Sequence, residues 1–296
     1  MSNLNLFATV LTYAAPSSNY RGDNDDTRAV LQKIKKDDKD HTIISPESMR
    51  NALREMLAKV DPKLCNRSRL FDQKELAVKF EEFPNPEKYA DDFFFGYLVT
   101  NKKKKEENKG KLMKRDSVLR MNMALALKPY RHNTVFFQSP KNELSESADS
   151  AILHREVVHT AYQYPFALAG SDCRKQQGAN WTNILLKSIG ELSDVAGGHA
   201  RSYFEMSPKS IIARLTPQLV AGFDTYGFNG QGQFPELTRI NKDDLPGAEF
   251  WIGGEIVRSM STEDKEHYQG EGAHLYANPQ RLIADLAKAF LSPEAK

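Results

Sequence analysis

Apolar and polar residues follow two different periods in the N-terminal part of the chain, and these periods predict a strand followed by a helix. Residues Leu4–Ala14 alternate loosely and are rich in β-favouring residues, which predicts a central first strand. From Ser45 to Val60 apolar residues recur every three or four positions, as in an amphipathic helix. Ser45 stands at the N-cap and Pro46 at the first helical position, where a missing N–H costs no hydrogen bond. The predicted buried stripe consists of Met49, Ala52, Leu53, Met56, Leu57 and Val60.

Later periodic segments predict further strands and helices. A second strong strand is predicted at Arg155–Phe166, with Val158, Thr160, Tyr162, Tyr164 and Phe166 on one face. Such aromatics stack on bases when a sheet face is open and form core when it is covered; core is the preferred interpretation. Further strands are predicted at Val118–Lys128, Lys209–Thr216 and Trp251–Met260, helices at Thr182–Leu192 and after the Asn278 cap, and a long glycine-punctuated loop at Gly222–Ile240.

Composition limits the class of protein. The chain has 296 residues, a hydrophobic content of 40% and a net charge of +2, which fits a globular protein of one large domain or two ordinary ones. No apolar run approaches the roughly 20 residues of a membrane span, and no signal peptide is evident. Cys65 and Cys173 are isolated, which argues against a disulfide framework or zinc site and indicates a cytoplasmic protein.

Two arginines on the predicted first helix are candidates for binding an anion. Arg50 and Arg54 are four residues apart and therefore lie on the same side of the helix, at the edge of its apolar stripe. Nothing nearby in the sequence fully neutralises them, so the pair invites an anion. The alternative is that Glu47 and Glu55 form ordinary surface ion pairs with them.

Two loops carry the same kind of signal. The loop Pro16–Asp26 contains Tyr20, Arg21 and a Gly22 hinge, and it can approach the same ligand as the N-terminus of the helix. In Val195–Phe204, Gly197 and Gly198 could turn successive backbone N–H groups towards an anion, with His199 and Arg201 directly after them. A glycine C-cap is the alternative for this pair.

A basic run and an acidic cluster have two interpretations each. Lys102–Arg115 holds eight basic and two acidic residues, and it is either a solvated loop or a mobile segment that contacts phosphates. Asp23, Asp25 and Asp26 could hold a divalent metal for phosphodiester cleavage, although aspartates are also common in turns. The chain lacks paired-cysteine, HExxH and GxSxG motifs. We therefore predict no catalytic residues, no resident metal and no cofactor.

An ordered set of segments resembles a known family. The segments SSNYRG, SPESMRNALRE, FFFGYL, DSVLRMNMALAL, ILHREVVHTAYQYPF and VAGGHARSYFEMSPKSIIARL follow the first strand in this order. Together they resemble the CRISPR-associated backbone subunit of type I Cascade complexes, in the DevR or autoregulator-like subgroup of the RAMP superfamily. The resemblance runs from about residue 4 to about residue 216. Ser45-Pro46 departs from the Ser-Gly that relatives often carry.

The resemblance implies an α+β fold with an RRM-like (ferredoxin-like) palm of order βαββαβ. Residues 1–60 would form the first half of the palm, 61–150 an inserted fingers region, and 151–296 the second half with a thumb and a C-terminal helix. The thumb would be Ala167–Ala179 or Gly222–Ile240.

The resemblance also implies a role in antiviral defence without catalysis. Such subunits polymerise as a helical filament along CRISPR RNA and present bases for pairing with a target DNA strand. Implied partners are therefore CRISPR RNA, target DNA, further copies of the chain, a small subunit that caps the 5′ end, a large PAM-reading subunit and a repeat-processing endonuclease. The positions implied to contact RNA are Asn19, Tyr20, Arg21, Ser45, Ser48, Arg50, Arg54, Gly197, Gly198, His199 and Arg201.

Two other functions stay open from the sequence. Related backbone subunits of type III complexes cut RNA with a loop aspartate, and Asp23, Asp25 or Asp26 could act in that way. A protein-only scaffold is the other alternative. Near-neutral charge fits RNA binding if many copies add weak contacts along one strand. Arg50→Ala with Arg54→Ala is expected to abolish retention of guide RNA with the fold intact.

Overall fold

The predicted first strand is central in a nine-stranded mixed sheet. A computed structural model describes residues 4–18, 24–25, 28–71, 76–100, 108, 110–138, 152–193, 195, 203–241 and 243–292. The strands are β1 Asn5–Thr12, β2 Ala15–Ser17, β3 Asn24–Asp25, β4 Arg28–Ala29, β5 Lys33–Lys36, β6 Lys39–Ile44, β7 Arg67–Phe71, β8 Leu76–Phe80, β9 Tyr97–Leu98, β10 Lys114–Arg115, β11 Arg120–Met121, β12 Ala124–Ala126, β13 Thr134–Gln138, β14 Ile152–Glu156, β15 Val158–Thr160, β16 Tyr162–Ala169, β17 Pro208–Thr216, β18 Phe250–Gly254 and β19 His274–Tyr276. The α-helices are α1 Pro46–Val60, α2 Ala90–Phe95, α3 Gly170–Cys173, α4 Gln176–Gly190, α5 Glu255–Arg258, α6 Thr262–Gly270 and α7 Pro279–Leu291.

The main sheet has the strand order β19, β18, β17, β1, β16, β12, β6 and β5, and β11 also pairs with β16. Neighbouring strands are antiparallel apart from the parallel pair β18 and β19. In the centre, Ala8 lies opposite Phe166 on one side and Ala213 on the other. The sheet is therefore continuous across segments that are far apart in the sequence.

One face of this sheet is covered by helices. Alternate residues of β1 point into a core that also contains the apolar stripes of α1, α4 and α7. Tyr162, Tyr164 and Phe166 from β16 are buried in the same core, so the interpretation of these aromatics as core is confirmed. The predicted last helix is also confirmed, with Asn278 accepting a hydrogen bond from Arg281 N and Pro279 in the first turn.

The opposite face is covered by the segment 217–241. Thr9 Oγ1 donates to Thr225 O at 2.8 Å, and Gln163 exchanges two hydrogen bonds of 3.1 Å with the backbone of Phe228. The segment includes a 3₁₀ helix at Pro235–Arg239 and is otherwise irregular, as the glycine pattern predicts. Its three phenylalanines, Phe223, Phe228 and Phe234, are buried against the sheet, so this thumb candidate packs on the main sheet along most of its length.

Smaller sheets lie outside the main one. β7 pairs with β8, β9 with β10 and β2 with β15, while β13, β14, β4 and β3 form a four-stranded sheet. The pairs β7–β8 and β9–β10, together with α2, belong to the segment between α1 and β11. Short 3₁₀ helices occur at Pro62–Leu64 and Gly247–Glu249. None of the helices in the described ranges is both long enough and apolar enough to cross a membrane.

Several predicted boundaries are wrong. Val60, predicted to be buried, is 61% exposed at the last position of α1. Val118–Lys128 is interrupted between β11 and β12, because Asn122 Oδ1 accepts from Met123 N and so replaces a ladder hydrogen bond. Arg155–Phe166 is not one strand: β14, β15 and β16 pair in three different sheets.

Two further predictions are partly wrong. The helix predicted at Thr182–Leu192 begins earlier, at Gln176, and ends at Gly190. The strand predicted at Trp251–Met260 ends at Gly254, whose φ of 93° is the left-handed region that favours glycine, and α5 follows directly. In both cases the core residues are placed correctly and the limits of the element are not.

Candidate nucleic-acid interface

The structure describes four of the residues predicted to contact RNA. Ser45 is the N-cap of α1, and Ser48, Arg50 and Arg54 lie within it. The other seven, Asn19, Tyr20, Arg21, Gly197, Gly198, His199 and Arg201, lie outside the described residues. The same holds for Asp23 and Asp26 and for the side chain of Asp25. RNA contacts at these positions stay predictions, as does their convergence with α1 on one groove.

The start of α1 has the predicted cap. Ser45 Oγ accepts a hydrogen bond from Ser48 N at 3.2 Å, which satisfies one of the N–H groups that a helix start leaves without a partner. The hydroxyl of Ser45 also donates to Ser48 Oγ at 3.2 Å. Both residues are half-buried. The positive end of the helix dipole is therefore presented beside two hydroxyl groups, an arrangement that favours an anion.

The Arg50 side chain donates hydrogen bonds to neutral acceptors. Its Nη2 donates to Phe95 O at 2.5 Å and to Ser117 Oγ, and Ser117 Oγ in turn donates to Phe95 O at 2.9 Å. Burial lowers the pKa of Arg50, and the charge of Arg54 lowers it further. No carboxylate in the described part of the chain lies within ion-pair distance of Arg50. An arginine stays protonated in proteins, so the guanidinium keeps a full charge that the protein does not neutralise at close range.

Arg54 is in a different environment. Its side chain is 12% exposed, and its Nε lies 3.3 Å from Oδ2 of the fully buried Asp91. The guanidinium also stacks on the Phe95 ring, with 4.8 Å to the ring centroid. Burial and the charge of Arg67 lower the pKa of Arg54, while Asp91 opposes that shift. The prediction that nothing nearby neutralises Arg54 is therefore wrong. Asp91, a residue of α2, is distant from Arg54 in the sequence but lies beside it in the fold.

Three arginines donate hydrogen bonds to carbonyl oxygens at the C-terminal end of α2. The last carbonyl groups of a helix have no partner within it and carry partial negative charge, so cations are favoured there. The pairs are Arg115 Nη1 to Phe93 O at 2.6 Å, Arg50 Nη2 to Phe95 O at 2.5 Å, and Arg67 Nη2 to Gly96 O at 3.0 Å. We call Arg50, Arg67 and Arg115 the arginine cluster. Sequence reasoning missed Arg67 and included Arg115 only as the last residue of the basic run Lys102–Arg115, since nothing local to either residue indicates the end of α2.

A cleft of about 350 Å³ opens beside this cluster. Its polar lining residues are Arg50, Ser117, Arg120, Asn122 and Thr225. Phe7 and Pro165 are among its apolar residues, on the sheet face that the segment 217–241 covers only in part. Guanidinium groups beside a flat apolar surface suit a nucleotide, because the phosphate can pair with the cation while the base or sugar packs on the surface.

The described residues offer little for metal chemistry. No group of three or more His, Cys, Asp or Glu side chains that could hold a metal ion occurs among them. The acidic cluster that could support cleavage lies largely outside the described ranges. The described site therefore has binding groups, namely guanidiniums, hydroxyls and an apolar surface, and its arrangement suits binding of an anion.

Comparisons with known proteins find similarity to CRISPR-associated proteins. No protein-family model matches the chain. The chain is 29% identical over 287 residues to the CRISPR-associated protein Cas7/Cst2/DevR of Myxococcus xanthus (strain DK1622), which covers 92% of this chain and 93% of that protein.

Two solved structures have a similar fold. One, described as a CRISPR RNA-guided surveillance complex, matches with a TM-score of 0.55 and 13% identity over 96% of this chain and 99% of that chain. Another, a CRISPR RNA-guided surveillance complex in a pre-nicking state, matches with a TM-score of 0.60 and 10% identity over 97% of this chain and 100% of that chain. The chain thus resembles the Cas7/Cst2/DevR family of CRISPR-associated proteins along nearly its whole length, and the resemblance predicted from the sequence is confirmed.

Proposed function

We propose that this chain is a non-catalytic backbone subunit of a type I CRISPR Cascade complex, which polymerises along guide RNA and binds its phosphates. The observation that carries the proposal is the similarity to Cas7/Cst2/DevR over 92% of the chain. Because the similarity extends along both proteins, the proposal concerns the whole molecule and does not depend on one motif.

The order of the central strands supports an RRM-like palm. In space β1 lies between β17 and β16, and β12 follows β16. Along the chain, α1 lies between β1 and β12, and α4 lies between β16 and β17. This is the order of a βαββαβ unit whose outer strands are its second and fourth. We assign residues 1–60 and 151–296 to the palm, and 61–150 to fingers, of which β11 and β12 also join the palm sheet.

The arginine cluster supports the binding of RNA. Arg50 and Arg67 are held by carbonyl oxygens, so their positions are fixed before any ligand binds and little side-chain entropy is lost on binding. Phosphate contacts of this kind fix the position of a strand without reading its sequence. Arg54 then has a supporting role: it holds α1 against α2 through Asp91.

Assembly follows from weak contacts that are repeated. The net charge of one copy is +2, which is too small for strong binding by a single copy. Copies side by side on one RNA sum their contacts. Both solved structures of similar fold are CRISPR RNA-guided surveillance complexes. On this basis the partners are CRISPR RNA, a target DNA strand, further copies of the chain and other Cascade subunits.

Arg50→Ala tests the proposal. The protein is expressed together with a CRISPR array, and the RNA that co-purifies is measured per mole of protein. We expect Arg50→Ala to lose most of the RNA, because the cleft loses the arginine that is held in position before RNA binds. Arg281→Ala, an exposed arginine on α7, is the charge-matched control and should keep the wild-type amount. Equal RNA in both variants would rule out the assignment of Arg50.

The same preparation tests whether the complex is an enzyme. RNA complementary to the guide is added with Mg²⁺ and is expected to stay intact. Cuts at regular intervals would replace the non-catalytic proposal with the metal-dependent RNase of the type III kind. Purified wild-type protein without nucleic acid would instead favour a protein-only scaffold.

A further inference from the structure

We propose that a second basic groove, on the far side of the segment 217–241 from the arginine cluster, binds a run of phosphodiester groups of a single nucleic-acid strand. The groove consists of two adjoining cavities of about 740 Å³ and about 220 Å³ that share Lys128 and His159 in their linings. The proposal rests on the proposed function only in taking nucleic acid as the ligand. None of the lining residues is among those that the sequence predicts to contact RNA.

Charge is concentrated in this groove. Lys39, Lys128 and Arg131 line the larger cavity, and Lys209 lines the smaller one. Asp40 is the single carboxylate among the described lining residues. Four cations against one acid is a strong local excess in a chain whose 41 basic residues nearly balance its 39 acidic ones. A concave surface lined by one sign of charge attracts an extended ligand of the opposite sign.

These cations are available to a ligand. Lys39, Lys128 and Arg131 are exposed, and within the described ranges none of the four forms an ion pair at close range. The Arg258 hydrogen bond and, less strongly, the charge of Lys209 lower the pKa of Glu255, but that carboxylate is already paired with Arg258 at 2.8 Å. Binding a phosphate here therefore breaks no existing ion pair. This distinguishes the groove from Arg54, whose charge is already paired with Asp91.

The walls of the groove are rigid. The backbone that carries Lys128 and Arg131 is held at both ends, by Leu127 N to Ala161 O at 3.0 Å and by Tyr130 N to Asp40 O at 2.7 Å. Val157 N donates to Asn133 O at 3.0 Å and closes the same wall. Because the backbone is already ordered, only the cationic side chains lose entropy when an extended anion binds, which reduces the cost of binding.

Size and chemistry favour the backbone of a strand over a small ion or a single base. The volume of the larger cavity, about 740 Å³, lies within the range of roughly 300–1,000 Å³ that is usual for pockets of small-molecule ligands and cofactors. Such ligands are far larger than a single ion. Its aromatic lining residue Tyr130 already has the Lys33 ammonium at 4.3 Å from the centre of its ring, so this ring face is not open to a base.

The groove and the cleft lie at different places on the sheet. Phe7 in the cleft and Leu11 in the groove are four residues apart on β1, which corresponds to about 13 Å. The groove is therefore distinct from the cleft beside the arginine cluster.

The strand that binds here is either RNA or DNA, and the test separates them. The purified full-length protein is titrated with a fluorescent single-stranded RNA and, separately, with a DNA of the same sequence, at several salt concentrations. Lys128→Ala with Arg131→Ala removes two exposed charges. The control, Lys187→Ala with Arg281→Ala, removes two exposed charges from helices outside the groove. Circular dichroism checks that both double variants are folded.

We expect the groove variant to bind at least one probe several-fold more weakly than the control does. Its slope of log affinity against log salt should be shallower by about 1.4, which corresponds to two lost phosphate contacts on a single strand. Loss with the RNA probe assigns the groove to RNA, and loss with the DNA probe assigns it to DNA. The proposal is wrong if wild type, groove variant and control do not differ with either probe. Arg50→Ala is titrated in the same way. If it binds as wild type does while the groove variant binds more weakly, the assignment of Arg50 is wrong and the groove proposal stands.

Discussion

Two arginines of the same helix illustrate how far neighbours in space decide what a charged residue can do. Arg50 and Arg54 are four positions apart on α1 and lie on the same side of it. Arg50 meets a carbonyl and a hydroxyl, which orient the guanidinium without cancelling its charge. Arg54 meets the buried Asp91 carboxylate, so its charge is compensated inside the protein. In the proposed function the first binds a phosphate directly, whereas the second stabilises the structure that holds the first in place.

Arg54→Ala is therefore expected to affect folding. The change leaves the buried carboxylate of Asp91 without its cation, which should lower the free energy of unfolding by about 3–5 kcal/mol. Urea unfolding measures the loss, with Arg281→Ala as the exposed control. Arg54→Met combined with Asp91→Asn should recover part of it, because the charge is removed on both sides and the new side-chain amide still offers an oxygen to Asn66 N. A loss no larger than that of the control would contradict the buried ion pair.

This expectation changes how the double variant predicted from the sequence is interpreted. Arg50→Ala with Arg54→Ala would lower both RNA retention and stability, so loss of RNA could follow from unfolding alone. The single variants separate the two effects. Arg50→Ala removes hydrogen bonds from a charged donor, which contribute about 1.5–3 kcal/mol each, so its urea unfolding is measured beside its RNA retention.

At the scale of elements, helix ends place the charged groups. The start of α1 has a serine cap, and the end of α2 presents free carbonyl oxygens to three arginines. Both arrangements follow from the four N–H and four C=O groups that a helix leaves without partners at its ends. The helix α6 begins in the same way as α1, with Ser261 Oγ accepting from Asp264 N at 3.0 Å. The two serines therefore form a matched pair for testing whether a cap also contacts RNA.

Ser45→Asp is expected to keep the fold and lose RNA. Aspartate caps a helix about as well as serine and suits the positive end of its dipole, so stability should change by no more than about 0.5 kcal/mol. A carboxylate at this position would repel a phosphate bound beside Arg50, so less RNA should co-purify. Ser261→Asp makes the same change at α6 and should leave RNA retention unchanged. Equal retention in the two variants would mean that Ser45 does not face the RNA.

At the scale of the whole molecule, both faces of the main sheet are covered over its centre. Helices α1, α4 and α7 pack on one face, and the segment 217–241 packs on the other. The centre of the sheet therefore offers no open face to a ligand. The cleft and the second basic groove are found where the cover ends: Thr225 lines the first, while Gly230 and Gly232 line the second.

The cover should unfold together with the sheet. Phe228 is buried, its ring lies 4.9 Å from that of Phe234, and its backbone is hydrogen-bonded to Gln163. Phe228→Ala is expected to lower the free energy of unfolding by about 3–5 kcal/mol, through lost burial and the cavity left behind. Urea unfolding should still give one transition. Tyr226→Phe, which removes a single hydrogen bond to Met123 O, should lose about 1 kcal/mol. A separate early transition in Phe228→Ala would mean that the segment is an independent loop.

The sequence alone determined the elements whose signals are local. The strand β1, the capped helix α1, the strand β17 and the helix α7 follow from periods and caps that span a few residues, and the structure has all four. The same signals made Arg50 a candidate, because its spacing on the helix is a local property. The ordered motifs also supplied the resemblance to CRISPR-associated proteins, which the similarity to Cas7/Cst2/DevR confirms.

Only the tertiary structure decided which charges are free and where they meet. Asp91 neutralises Arg54, and the carbonyl end of α2 collects Arg67 and Arg115, because the fold brings distant segments together. The second basic groove likewise draws its cations from three separate segments, namely the start of β6, the loop between β12 and β13, and the start of β17. Periodicity fixes the face on which a residue lies. The electrostatic neighbourhood depends on which segments pack against that face, and this is set by long-range pairing that no local pattern encodes.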